Sequence, residues 1–144
     1  MKVLGLLTVC ALAMGFVACD GGSGTSSGGM TCEVTRGATT VKVVSEVPGM
    51  GGYYVTVTDQ GDHVIIDTEY RYSDASMAEE SCEEEKRYAN SWRDGSVSTR
   101  CSGNSVYVTE YDEGSLDDHQ RSYSRMCEEM LSGDYEDDDE DFDY

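Results

Sequence analysis

The sequence predicts an α+β domain, an antiparallel sheet of five to six strands with two helices packed on one face and two disulfides stapling the whole. Three observations carry this expectation. Between residues 31 and 72, β-branched and aromatic side chains alternate with polar ones and are interrupted by Gly, Asp and Pro clusters. In two later stretches the apolar residues recur at helical rather than strand spacing. Four cysteines fall on the first strand, each helix and a late strand, segments that such a fold brings together.

Strands are expected at residues 31–36, 39–47, 53–59 and 63–72, separated by Gly37, by Pro48-Gly49-Met50-Gly51-Gly52 and by Asp59-Gln60-Gly61-Asp62, all of turn composition. Alternation assigns the faces. Tyr53, Val55, Val57, Val64, Ile66 and Tyr70 belong under the helices, with Tyr54, Thr56, Thr58, His63, Ile65, Asp67 and Glu69 on the other side. From Ser73 to Arg93 the period lengthens. Met77, Ala78, Cys82, Ala89 and Trp92 form a stripe, Ser76 with Glu79 fits a capping box, and Asp94-Gly95 ends the helix. Short strands at 97–101 and 105–111 around Ser102-Gly103-Asn104 make a hairpin, Val106 and Val108 facing in and Tyr107, Thr109 and Tyr111 out. Ser115 and Asp118 open a second helix, with Leu116, Tyr123, Cys127, Met130 and Leu131 along one face. The triplet Thr68-Glu69-Tyr70 returns as Thr109-Glu110-Tyr111, each ahead of a cysteine-bearing helix. Three residues do not argue a duplication, and we read the match as coincidence.

The N-terminus has a different character. Met1 and Lys2 precede an apolar run to Ala18, the charged-then-apolar order of an export leader. The run falls short of the roughly 20 residues that cross a bilayer as a helix. Its end, Phe16-Val17-Ala18-Cys19, resembles a bacterial lipobox, with Phe16 where leucine is usual. The resemblance covers only the leader. It implies cleavage before Cys19, lipid on the Cys19 thiol and stable anchoring through several acyl chains. Asp20 resembles a retention signal for the inner membrane, and the choice between inner and outer membrane stays open. The organisation expected is a signal peptide at 1–18, the lipidated cysteine with a Gly/Ser tether at 19–30, one α+β domain at 31–132, and a disordered acidic tail at 133–144. The location implied is the cell envelope, facing the periplasm or the exterior.

The chain of 144 residues holds 29 acidic and 10 basic side chains, a net charge of −19. Such a surface repels phosphates, so no nucleic acid partner is expected, whereas cations and basic partners are favoured. Of the six cysteines, Cys10 leaves with the leader and Cys19 takes the lipid. Cys32, Cys82, Cys101 and Cys127 remain, and in an oxidising compartment they read as two disulfides. Cys82 precedes the helix end by about 12 residues, roughly 18 Å, and Cys101 follows on a returning strand of roughly 20 Å, so the two can meet. Cys32 then pairs with Cys127. The alternative is Cys32 with Cys82 and Cys101 with Cys127.

No nucleophile elbow, zinc-protease motif or phosphate-cradling loop is present, and neither a metal nor another cofactor is expected. His63 and His119 read as solvated polar residues. Glu79, Glu80, Glu83, Glu84 and Glu85 read as an exposed helix face, with Glu83 and Arg87 spaced as an i,i+4 pair. The tail from Asp134 to Tyr144 lacks the glycine and final glutamate of a calcium loop. Tyr54, Ile65, Tyr107 and Tyr111 share the outward sheet face, an amphipathic patch suited to an envelope protein or to the sugar rings of a glycan. The function expected is a lipid-anchored, non-catalytic interaction domain whose membrane contact is the lipid on Cys19. The alternatives are a small envelope hydrolase using carboxylates and a histidine, and a structural component that self-associates through a strand edge. A histidine held against a carboxylate in a closed cleft would distinguish the enzyme.

Overall fold

A computed structural model describes residues 29–132. The leader, Cys19, most of the tether and the acidic tail lie outside the described residues. The strands are β1 (Thr31–Arg36), β2 (Thr40–Val47), β3 (Gly51–Asp59), β4 (Val64–Tyr72), β5 (Val97–Ser102) and β6 (Ser105–Asp112). The helices are α1 (Ala75–Ser91) and α2 (Leu116–Ser132). All strands join one antiparallel sheet in the order β1-β2-β3-β4-β6-β5, the α+β architecture that the alternation and helical spacing predict.

Local chemistry sets the boundaries. β3 starts at Gly51, earlier than expected, because Gly51 and Gly52 pair with Tyr72 and Arg71. Gly51 has φ +131°, and a Cβ there would run into the Arg71 carbonyl oxygen, so the position requires glycine. The cap of α1 differs from the capping box expected of Ser76 and Glu79. The helix starts ahead of Ser76, and Asp74 is its N-cap, its Oδ1 accepting from the Ser76 N–H at 2.7 Å and the Ser76 hydroxyl at 2.6 Å. These bonds hold the Asp74 carboxyl below its ordinary range. Because it removes the acceptor of the α1 cap, Asp74→Ala is expected to lower the urea denaturation midpoint, with Ser76→Ala lowering it less. The helix ends at Ser91, before Asp94-Gly95 is reached. The box at α2 forms as expected, Ser115 Oγ accepting from the Asp118 N–H at 3.2 Å and donating to Asp118 Oδ2 at 2.8 Å.

The register places Val34, Val43, Val55, Thr68, Val108 and Thr99 in one row on the helix side. The next row, Glu33, Val44, Tyr54, Glu69, Tyr107 and Arg100, faces away. The core has two halves. Under α2, Leu116, Tyr123, Met126 and Cys127 pack on Val41, Val43, Val55, Val57, Val64 and Ile66. Under α1, Cys82 packs with Tyr70, Val97, Val106 and Val108. Tyr53 touches both halves, its ring 5.4 Å from that of Tyr70. Each helix is bridged to the edge strand beneath it: Cys127 of α2 to Cys32 of β1, and Cys82 of α1 to Cys101 of β5, with Cα separations of 5.3 and 6.1 Å. This is the pairing that the chain lengths favour, and the alternative of Cys32 with Cys82 and Cys101 with Cys127 is not formed. The repeated triplets do not correspond in space, since Thr68 and Tyr70 are buried beneath the helices whereas Thr109 and Tyr111 lie in the outward phase.

Candidate functional site

With both helices on one side, the described residues place no element over the opposite face of the sheet. The four residues expected to form a patch lie there, in two groups. In the first, Arg71 lays its guanidinium 4.6 Å above the Tyr54 ring, and Arg100 lies 4.2 Å above that of Tyr107. Between the two tyrosines sits Glu69, whose Oε1 accepts from Arg71 at 3.0 and 3.2 Å, from the Ser105 hydroxyl at 3.1 Å and from the Tyr107 hydroxyl at 3.5 Å. The Tyr54 hydroxyl donates to Glu46 at 2.6 Å. That bond pushes its pKa up and keeps it a donor. Val44, 42% exposed, stands beside Tyr54 on the neighbouring strand.

The second group pairs Ile65 with Tyr111 across β4 and β6, with the His63 ring 5.6 Å from that of Tyr111. Tyr111 is 50% exposed. Thr56, Asp67 and Thr109 form the row between the groups, and the Thr109 hydroxyl donates to Asp67 at 2.8 Å. The patch is thus two aromatic clusters across a polar row. Arg71 and Arg100, which alternation also puts on this face, were the part that the tyrosines alone did not reveal.

The helix side holds a second polar region, unexpected from the sequence. Glu85, read as part of an exposed acidic face, is only 3% exposed. Burial pushes its carboxyl up to about 7, assisted by the charges of Glu110 and Glu84. Glu110, inward on β6, is also raised by burial, against a hydrogen bond with Tyr88 of α1. One step further along β6, Asp112 Oδ2 lies 3.0 Å from His119 Nε2. The pair is at ion-pair distance but off the line of a hydrogen bond. His119 is 8% exposed, not solvated as expected, and its ring stacks near Tyr123. A Cβ on Gly114 would sit 2.9 Å from His119 Nε2, so glycine lets the loop close over the pair. His63 touches Asp62 at 2.5 Å on the surface. The pairing expected of Glu83 and Arg87 is replaced by a contact from Arg87 Nε to the Glu83 carbonyl oxygen.

Among the described residues no three His, Cys, Asp or Glu side chains converge as metal ligands. No described helix is long and apolar enough to cross a membrane. Compared with family models, curated proteins and solved structures, the chain matches none.

Proposed function

We propose that the chain is a lipid-anchored protein of the bacterial cell envelope, held by lipid on Cys19, whose domain binds a protein partner through the uncovered sheet face. One observation carries the reading. Among the described residues a complete face of a six-stranded sheet is left without cover, and it bears aromatic rings and guanidinium groups, residue types enriched where proteins meet. The guanidinium groups also favour a protein over a glycan. They already occupy a face of the Tyr54 and Tyr107 rings, the surface on which a sugar would stack. The apolar leader and the two bridged cysteine pairs support an exported, oxidising location.

The hydrolase reading has one observation in its favour, the approach of His119 to Asp112. That pair is packed between the end of β6, the first turns of α2 and Gly114, a position suited to fixing α2 and poorly placed to meet a substrate.

Tyr107→Ser combined with Tyr111→Ser tests the proposal in the full-length chain. Both side chains face solvent, so the fold should persist, while envelope proteins recovered by cross-linking and capture should fall at least tenfold. Unchanged recovery of every partner would remove the sheet face from consideration. Cys19→Ser should shift the chain from the membrane to the soluble fraction.

A further inference from the structure

The sheet has two edges, β1 and β5, and among the described residues nothing pairs with the outer side of either. The strands are of equal length, six residues each. Every neighbouring pair is antiparallel and the number of strands is even, so β1 and β5 run in opposite directions. Followed across the sheet, the register brings the two edges level. Thr31 and Ser102 end one row, Glu33 and Arg100 another, and Arg36 and Val97 the last. Set beside each other from two copies, β5 and β1 would meet antiparallel over their whole length.

The backbone phase agrees with this register. The Gly37 N–H bonds the Thr40 carbonyl, so Thr31, Glu33 and Thr35 direct their peptide groups at β2 and leave those of Cys32, Val34 and Arg36 facing outward. The Tyr111 N–H bonds the Ser96 carbonyl, so Ser98, Arg100 and Ser102 face β6 and leave Val97, Thr99 and Cys101 facing outward. In the level register the outward-facing sets oppose one another: Cys32 with Cys101, Val34 with Thr99, Arg36 with Val97. Glu33 and Arg100 then fall at a non-hydrogen-bonded position, where the side chains of opposed residues approach most closely. Helix spacing agrees as well. Within one copy, α1 sits over β5 and β6 and α2 over β1 and β2. Across the joint α1 and the next α2 would be about two strand spacings apart, roughly 10 Å, an ordinary helix-packing distance.

We propose that a second copy of this chain is the partner for the sheet edges: β5 of one copy pairs with β1 of the next, Arg100 opposite Glu33, continuing one sheet from copy to copy. The contact is head-to-tail, so each copy retains a free edge and the assembly extends. The net charge of −19 opposes it, but at physiological ionic strength the repulsion is screened beyond about 8 Å, while the paired edges are in contact. This association is carried by the backbone of the strand edges and does not rest on the sheet-face proposal, although Arg100 belongs to both.

Thiol trapping in cells producing the full-length chain tests it. Glu33→Cys and Arg100→Cys in one chain should give a ladder of cross-linked species on a non-reducing gel. The two single variants co-expressed should give only a dimer joining unlike copies. Absence of cross-links while peptide mapping shows both native bridges, or bonds joining two Glu33→Cys sites or two Arg100→Cys sites, would overturn the proposal. If added thiols disturb the native bridges, sedimentation of the purified full-length chain decides instead. Arg100→Glu should reduce oligomers at least tenfold and Glu33→Arg in the same chain should restore them. Oligomer content that is nil, or equal in all three proteins, would overturn it.

Discussion

Replacing Cys32 and Cys127 together by alanine is expected to cost the domain about 4–5 kcal/mol, and replacing Cys82 with Cys101 about 3 kcal/mol, by loop-closure entropy. The difference follows from the chain enclosed by each bridge: residues 95 apart in the first case and 19 apart in the second. Domains of this size have about 5–15 kcal/mol in total, so loss of the longer bridge should bring the fold close to its unfolding midpoint. Alanine is the informative replacement because Cys127 is buried on the inner face of α2 and serine would add the cost of burying a hydroxyl. Urea denaturation of the two double variants under identical conditions measures the order. If the Cys82 and Cys101 variant were the less stable, the bridges would be acting through local packing of α1 and not through the unfolded chain.

Pattern was read more accurately from the sequence than was residue type. Alternation in β3, β4 and β6 put Val55, Val57, Ile66, Val106 and Val108 on the helix side and Tyr54, Ile65 and Tyr107 on the other, as the register has them. That works because a strand has only two faces. Chain lengths sufficed to choose the disulfides because each bridge joins a helix to the edge strand beneath it. The two errors on the helices share one origin. Ala78, Cys82, Glu85 and Ala89 are spaced four, three and four residues apart, so the stripe that marks Cys82 as buried includes Glu85. Leu116, His119, Tyr123 and Met126 are spaced three, four and three residues apart, again one helix face, and include His119. In both cases charge argued for solvent while periodicity argued for the interior, and periodicity prevailed. The cap of α1 was missed for a different reason. Asp74 and Ser76 are both good capping residues, and which one serves depends on how far the helix extends toward the end of β4, which no local preference determines.

Glu85 makes the domain respond to pH in the direction opposite to ordinary acid denaturation. Its carboxyl is raised from 4.5 to about 7, so between those values the folded state holds a proton that the unfolded state has released. Stability should therefore fall as the pH rises from about 4.5 through 7. The full span, at about 1.4 kcal/mol per unit, is on the order of 2–3 kcal/mol once relaxation around the charge is allowed for. Glu110 acts in the same direction, since burial raises its carboxyl as well. Asp74 and Asp118 act in the opposite direction, their carboxyls lowered by the hydrogen bonds of the two helix caps. Their stabilisation is present above the ordinary aspartate pKa and is lost as the pH drops below it. For these four groups the two effects oppose each other, and their combined stabilisation is greatest above the ordinary aspartate range and below the raised range of Glu85. Glu85→Gln keeps the shape and removes the titration, so at pH 8 it should be more stable than the natural chain by about 2 kcal/mol. At pH 4.5, where the natural carboxyl is already neutral, the two should be nearly equal. Urea denaturation at both values measures the convergence. Parallel curves across the range would mean that Glu85 meets water in the folded state, and that α1 lies less closely on β5 and β6 than its buried stripe requires.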